Sequence, residues 1–574
     1  MNILVISGGS GNDALIKGLK SFYPESNVKV LVNAYDAGKS TGVCRQVTDT
    51  LGVSDIRKNH IRMYKATTSD VNQSIVEFYD ARYDFTEGNE AAEVIAKLES
   101  WGLEDLTKYA VSFFERDTSK AFTYSDFNVS NIIYAEMYSQ IGYEKTHKYF
   151  CDLLGLDDFV ILNSFDNIFI GAETESGRVI TGEGELVEYC NPDDIIVKMI
   201  YDLHGECNGL NPKAIDALND ADLIIVSTGT FWSSIFPTLE YSEFYKYLNA
   251  APGKKIWAMN CEPDKDCYGV GSNRLIQFVE DLGVDLSQFI ILENSDANEI
   301  LRQENNKNRV VYEAMGNNKG KHDGDKYARA VLKHYYGLKN LEDYSQIIFD
   351  FDDTLWARKA EDAAIDKKLT SYSRENVQLV NELADRATII SGNSYSSINK
   401  KLATVYGSNI TDFHVDIWAD ANSALFRNGE RKAVIRELVI TGDVSSLVRY
   451  MKNRYDLDVV SNDDQYPSCL KIKPLSKLDQ VLVANYLNDY ILGAASLGYC
   501  KAVPTGTSTV DILAKVNNKA VVLNHIDADI KNTLYVGDET DIGNDKDIAD
   551  ACGSSIHTTG VLETNALLKL LLNK

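Results

Sequence analysis

The apolar run Ile347-Ile348-Phe349 ends on Asp350, and the chain continues Phe351-Asp352-Asp353-Thr354-Leu355. A strand that delivers the two acids Asp350 and Asp352 and the hydroxyl of Thr354 at its C-terminal end presents a nucleophile, a proton donor and the start of a metal site at one sheet edge. Two later segments repeat the pattern. Ala387-Thr388-Ile389-Ile390 runs into Ser391-Gly392-Asn393, and Thr533-Leu534-Tyr535-Val536 runs into Gly537-Asp538-Glu539-Thr540-Asp541, followed by Gly543-Asn544-Asp545. In a parallel sheet these ends lie on one side, so Ser391 and a second acidic cluster converge on Asp350. The set suits phosphoryl transfer.

These three ordered motifs resemble those of the haloacid dehalogenase (HAD) phosphohydrolases, over about residues 345–574. The resemblance implies a HAD Rossmannoid α/β domain in which Asp350 takes the phosphoryl group, Asp352 protonates the leaving alcohol and later activates water, and Ser391 holds a phosphate oxygen. It implies magnesium on Asp350, the Asp352 carbonyl and Asp538, with Asp541 and Asp545 competing for the remaining acidic position. Gly537-Asp538-Glu539-Thr540 and the segment Trp418 to Gly429 are similar to the phosphomannomutase and sugar-phosphatase end of that superfamily. They imply an inserted α+β cap of type C2 at about 430–503, closing over a phosphorylated small molecule. The family's lysine after the cap is expected in Pro504-Thr505-Gly506-Thr507-Ser508-Thr509, where Thr509 offers only a neutral hydroxyl. Either the cation comes from elsewhere, with Lys515 as the candidate and Lys501 and Lys473 as alternatives, or hydrolysis is weak.

The N-terminal half opens on a second phosphate device. The apolar strand Asn2 to Ser7 turns through Gly8-Gly9-Ser10-Gly11-Asn12-Asp13 into an amphipathic helix, and such a turn lets backbone amides approach a pyrophosphate at a helix N-terminus. Further along stand Asp36-Ala37-Gly38-Lys39-Ser40-Thr41-Gly42 with Arg45, then Ser54-Asp55-Ile56-Arg57-Lys58-Asn59, Asn128 to Asn131, Gly182 to Glu185, and Ser227-Thr228-Gly229-Thr230 with Ser233 and Ser234. This ordered set resembles the 2-phospho-L-lactate transferase (CofD-like) family over about residues 1–300 and leans towards its nucleotide-sugar-binding branch. The resemblance implies a Rossmann-like α/β domain whose cleft takes a nucleotide or nucleotide-sugar conjugate with magnesium. Asp36 is expected to bind metal or activate an acceptor hydroxyl, and Arg45 and Arg57 to neutralise phosphates. Gly229, Thr230, Ser233 and Ser234 are expected to hold an anion, and Asn131 and Asn260 to read a base or sugar.

Length supports two large α/β domains plus a cap, at 1–340 and 345–574, because 574 residues exceed what one core serves. The stretch at about 70–120 reads as a helical excursion, and 302–326 as a loop followed by a helix over Tyr327–Tyr335. The formal charge of −26 repels nucleic acid and anionic membranes, and no basic run reverses it. Met1-Asn2-Ile3 reads as the start of a core strand rather than a leader, and no run of about 18 apolar residues spans a membrane. Nine scattered cysteines without a CxxC pair suit a reducing cytoplasm, and the eight histidines show no zinc-like spacing. A homo-oligomer is compatible with the sequence. The function expected is a bifunctional enzyme: transfer of a phosphorylated group from a nucleoside-diphosphate conjugate, and hydrolysis of a phosphate monoester through an aspartyl-phosphate. The alternative is a nucleotide-sugar-binding regulatory domain attached to a magnesium-dependent sugar-phosphate phosphatase.

Overall fold

The structure is a computed structural model. It describes the chain apart from residues 10, 118–121, 123, 296–309, 318, 408–409, 443, 463–464, 474–476, 494–496, 506–508 and 542–544. It divides into two compact units, Met1–Gly337 and Leu338–Lys574.

The first unit begins with β1 (Asn2–Ile6), β2 (Asn27–Val32) and β3 (Val160–Leu162). A small antiparallel sheet of β4 (Asn167–Thr174), β5 (Val179–Ile180) and β6 (Ile196–His204) follows. Then come β7 (Leu223–Val226), β8 (Lys254–Ala258), β9 (Phe289–Asn294) and β10 (Val310–Glu313). The main sheet has seven strands in the order β10-β9-β8-β7-β1-β2-β3, and every pair in it is parallel. Parallel strands need both faces covered, which explains why β1 and β7 are runs of Ile, Leu and Val rather than alternating patterns. The chain order reverses between β1 and β7, so a crevice opens at their C-terminal ends, where Gly8 to Gly11 and Thr228 to Thr230 lie. Gly18 lets the helix Asp13–Phe22 lie against the helix Gly324–Tyr336, because a Cβ there would stand 2.0 Å from the Gly324 carbonyl oxygen.

One expectation changes here. The stretch expected as a loop, 302–326, contains the edge strand β10 in its described part. Its two valines are too short a run to signal a strand, and pairing with β9 supplies what periodicity lacks. Helices do fill 70–120, at Gln73–Asp80, Glu90–Ser100 and Thr107–Arg116.

The second unit contains β11 (Gln346–Asp350), β12 (Ala387–Ile390), β13 (Asp416–Ala419), β14 (Ala424–Arg427) and β15 (Glu430–Val434). An inserted layer of β16 (Val459–Ser461), β17 (Cys469–Ile472), β18 (Cys500–Thr505) and β19 (Thr509–Ala514) follows, and β20 (Thr533–Gly537) and β21 (Ser554–His557) return to the main sheet. That sheet runs β15-β14-β13-β12-β11-β20-β21, parallel from β13 through β21 with antiparallel hairpins at the β15 edge. The inserted sheet, β16-β17-β19-β18, is antiparallel and has its own core, in which Leu447 and Met451 of one helix meet Leu487 and Ile491 of another over Leu470, Ile472 and Ile512.

The inserted sheet continues to Ala514, so the end expected near 503 falls inside β18. Thr509 opens β19 and pairs with Thr505 across a hairpin, while 506–508 lie outside the described residues. Thr509 is therefore not the start of a helix, and no lysine is missing from it.

Candidate functional site

In the second unit the site is built on β11, every residue of which is buried. Its neighbours β12 and β20 bring Ser391 and Asp538 to the same edge. Asp353 adopts a left-handed φ of 59°, and its amide donates to the Trp356 carbonyl, turning the chain sharply after the strand. Thr354 is buried in that turn and donates to Asp538 Oδ1 at 3.4 Å.

The cation in this site is Lys519, not Lys515. Lys519 opens the short helix Lys519–His525, capped by Asn518, whose side chain accepts from the Val521 amide. Its buried ammonium donates to Asp350 Oδ1 at 2.6 Å and to Asp545 Oδ1. Lys515 instead donates to the Gly498 carbonyl near the surface, Lys501 donates to the Asn517 carbonyl, and Lys473 lines the cleft described below. The expected position failed because the inserted layer runs on through β19 to Ala514, past the end expected near 503.

Asp350, Asp538 and Asp545 bring carboxylate oxygens within 4.8 Å of one another. Asp545 is fully buried, and only a glycine at 537 permits its approach, since a Cβ there would lie 2.3 Å from Asp545 Oδ2. Asp541 is exposed, so Asp545 takes the position the two acids competed for. Burial pushes the Asp350 carboxyl up, Lys519 opposes that push, and Asp545 adds to it. For Lys519, burial lowers the ammonium's affinity for its proton, but Asp350 and Asp545 more than reverse the effect. Burial also raises Asp538, with Asp545 adding to it. Three hard oxygen donors with one internal cation retain excess negative charge, which fits magnesium.

Asp352 points into different company. Its Oδ1 accepts from Lys401 at 2.8 Å and its Oδ2 from Asn393, with Ser391 Oγ at 3.5 Å. Its side chain therefore stands apart from the carboxylate cluster. Beside it a cavity of about 510 Å3 is lined by Asn393, Ser394, Ser397, Asn462, Lys471 and Lys473. Lys401 carried no sequence signal, being one of two adjacent lysines on a surface helix.

In the first unit the glycine turn is crowded by the protein itself. A Cβ on Gly9 would stand 1.9 Å from Asp55 Oδ1, one on Gly11 1.9 Å from the Thr228 carbonyl oxygen, and one on Gly8 2.4 Å from Ser234 Oγ. The glycines let β1 meet β7 and the helix Ser54–Thr67; Ser10 lies outside the described residues. Asn12 donates to Asn59 Oδ1 at 2.7 Å in the interior.

Several expected ligand residues turn out to be scaffolding. Arg45 is buried, donates to the Tyr35 and Ile168 carbonyls at 3.1 and 2.7 Å, and stacks 3.7 Å from the Phe169 ring. Arg57 is also buried and donates to Asn131 Oδ1 at 2.6 Å and to the Tyr79 carbonyl, while Asn131 donates to Ser40 Oγ at 2.7 Å. The donors of these side chains are taken by the protein itself: a buried guanidinium must satisfy its donors locally, and carbonyls do so here. Ser233 is buried and the Ser234 amide donates to the Thr230 carbonyl, within the helical turn Phe231–Ile235.

The cleft at the switch point measures about 640 Å3. Gly11, Gly229, Thr230 and Asn260 line it as expected, with Asn260 bonding both the amide and the carbonyl of Gly229 at 3.2 and 3.0 Å. Its lining carries both signs: Lys17, Lys58, Arg62, Lys65 and Lys321 stand with Asp13, Asp80, Glu262 and Asp264, Asp13 pairing with Lys17 at 2.8 Å and Asp80 with Lys65 at 2.5 Å. Lys58, Arg62 and Lys65 fall on one face of the helix Ser54–Thr67, a spacing that was legible.

Asp36 lies beside Glu183 and Asp55. A Cβ on Gly38 would stand 3.2 Å from Glu183 Oε2 and 3.6 Å from Asp36 Oδ1, so the two carboxylates flank one spot. Burial, then Asp36 and Asp55, push Glu183 up to about 8. Asp36 Oδ2 and Glu183 Oε2 are buried without a hydrogen-bond partner among the described residues. Orphaned hard oxygens of this kind fit a divalent cation.

A family model described as 2-phospho-L-lactate transferase CofD matches residues 3–335. The gluconeogenesis factor of Bacillus subtilis (strain 168) is 23% identical over 297 residues, 51% of this chain and 79% of its own length. A UPF0052-family protein of Bacillus halodurans is 17% identical with a TM-score of 0.44, covering 58% of this chain and 99% of its own. A truncated IMP-nucleotidase of Plasmodium falciparum is 15% identical with a TM-score of 0.29, covering 43% of this chain and 75% of its own. Among the described residues no helix is long and apolar enough to cross a membrane.

Proposed function

Because the chain belongs to the 2-phospho-L-lactate transferase CofD family through residues 3–335, we propose that its first unit takes a nucleoside-diphosphate conjugate and transfers the phosphorylated group to an acceptor hydroxyl. The second unit, in this reading, is a magnesium-dependent phosphomonoesterase. The observation that carries the hydrolase is Lys519, buried between Asp350 and Asp545 with Asp538 in reach. A carboxylate nucleophile needs such a cation to meet a phosphate dianion, and a structural ion pair does not need the third acid.

Asp350 attacks phosphorus, forming a carboxylate O–P bond as the ester P–O bond breaks, and Asp352 gives its proton to the departing alkoxide. Lys519 orients Asp350 and offsets charge on the transferring group. Lys401 and Asn393 hold Asp352 in line. Asp352, now ionised, takes a proton from water as that water attacks the aspartyl-phosphate, releasing phosphate and restoring Asp350. Magnesium held by Asp350, the Asp352 carbonyl, Asp538 and Asp545 supplies charge neutralisation for the phosphate when bound. In the first unit, Lys17, Lys58, Arg62, Lys65 and Lys321 bind the diphosphate and Asn260 fixes the Gly229 turn. Asp36 and Glu183 hold a cation or take the acceptor's proton. The nine free cysteines support a cytoplasmic site of action.

One observation favours a second reading of the first unit: the relative in Bacillus subtilis is named for gluconeogenesis, not for transfer. In that reading the cleft senses a nucleotide sugar and controls the phosphatase. Product assays separate the two. Transfer releases nucleoside monophosphate and stops in Asp36→Asn with binding retained; a sensor returns its ligand unchanged, and Asp36→Asn then has no catalytic phenotype. If neither nucleoside diphosphates nor their sugar conjugates bind at millimolar concentration, both readings of the cleft are wrong.

A further inference from the structure

The helical layer of the first unit holds a cluster that neither cleft uses. His60 sits on the helix Ser54–Thr67, and His147 and Cys151 lie one turn apart on the helix Tyr143–Leu154. All three are buried. His60 Nε2 lies 2.8 Å from His147 Nδ1, and Cys151 Sγ lies 3.7 Å from the first nitrogen, 3.9 Å from the second and 3.6 Å from His147 Nε2. A point equidistant from the three atoms stands about 2 Å from each, close to the zinc–nitrogen bond length. We propose that His60, His147 and Cys151 form a binding site for a zinc-class transition-metal ion that fastens these two helices together.

The surroundings favour this over an incidental contact. His147 Nε2 lies 2.8 Å from Asp158 Oδ1, and a carboxylate only accepts, so this nitrogen carries the hydrogen and Nδ1 presents a lone pair inward. His60 Nδ1 lies 2.7 Å from the Tyr134 hydroxyl, which in turn lies 2.9 Å from the Tyr79 hydroxyl. In the His60 tautomer whose Nδ1–H donates to Tyr134, Nε2 carries a lone pair beside that of His147 Nδ1, and both nitrogens can then ligate an ion. Metal-ligating histidines characteristically have the far nitrogen fixed by a carboxylate or another acceptor, as both are here. The two imidazole planes are inclined by 21° with their centroids 4.8 Å apart. Two imidazoles and a thiolate suit a borderline-soft ion rather than magnesium. Histidine spacing alone concealed the site, because only the His147–Cys151 pair is local and His60 arrives from another helix.

The test uses full-length, tag-free protein and cobalt(II) alone as the spectroscopic probe. The expected result is a near-ultraviolet thiolate-to-cobalt band that saturates at one ion per chain and is displaced by zinc(II). It disappears in Cys151→Ser and persists in Asp350→Asn, which separates it from the carboxylate site of the second unit. Asp158→Asn weakens binding roughly 10–100-fold. If Cys151→Ser does not fold, zinc-edge X-ray absorption on the wild type decides, with two nitrogens at about 2.0 Å and one sulfur at about 2.3 Å expected. Absence of the thiolate band in the wild type, or its persistence in folded Cys151→Ser, overturns the proposal. The cluster is then a metal-free hydrogen-bond relay from Tyr79 to Asp158.

Discussion

The first unit's cleft and the second unit's carboxylate cluster sit at equivalent places in their sheets, each at strand ends where the order reverses, yet their charges are organised in opposite ways. In the second unit the functional charges are inside: Lys519, Asp350 and Asp545 are all nearly inaccessible and satisfy one another. In the first unit the buried cations, Arg45 and Arg57, serve the scaffold, and the cations of the cleft stand along its wall. A site that performs a displacement at one phosphorus atom gains from preorganised charge, whereas a site that receives a large anion needs accessible, adjustable charge. Arginines within a motif are thus weak guides to a ligand until their burial is known.

The sharpest way to break this comparison is at Lys519. Lys519→Ala should lower magnesium-dependent phosphomonoester turnover at least ~100-fold, comparable to Asp350→Asn, while Lys515→Ala changes it less than about twofold. It should also destabilise the second unit by roughly 3–5 kcal/mol, because Asp350 and Asp545 are left buried together. Denaturant unfolding beside steady-state kinetics checks both effects, and an active Lys519→Ala enzyme would remove the basis of the hydrolase reading.

The next test contrasts two arginines of one helix. Arg57→Ala should cost about 2 kcal/mol of stability, since it orphans the buried Asn131 Oδ1, while the Tyr79 carbonyl keeps Asn128 as a donor. Arg62→Ala should leave stability nearly unchanged and weaken nucleoside-diphosphate binding about tenfold, 1.4 kcal/mol. Calorimetric titration and thermal melts run on both variants would expose a reversal of the pattern. Gly9→Val, which drives a side chain into Asp55, should resemble Arg57→Ala in stability and also impair binding.

The smallest effect concerns buried acids without a lysine between them. Burial, then Asp264, push the Asp266 carboxyl up to about 8. A raised folded pKa means the native state holds a proton that the unfolded chain releases. This contribution to stability is therefore complete below the ordinary carboxylate range and is lost as pH rises towards 8. Asp266→Asn should flatten that decline between pH 4 and 8. Urea midpoints across the range check it, and an unchanged slope would show that Asp266 is ionised in the folded protein.

Much of the design was legible before any coordinates. Strand ends at Asp350, Ser391 and Asp538 are signalled by short buried runs that stop on a polar residue, and a parallel sheet then leaves only one edge on which they can meet. The glycine turn after β1 was legible for the same reason, although its glycines admit protein atoms rather than only a ligand. Local chemistry and strand order therefore determined the two folds and the position of each cleft. What only the tertiary structure decided is which charge faces which cleft. Lys519 lies beyond a hairpin whose strands carry little periodicity, Asp545 outranks Asp541 because Gly537 admits it, and Arg57 points inward while Arg62 lines the cleft wall. Each outcome depends on burial and on partners distant in the chain, quantities that packing sets and local sequence does not contain.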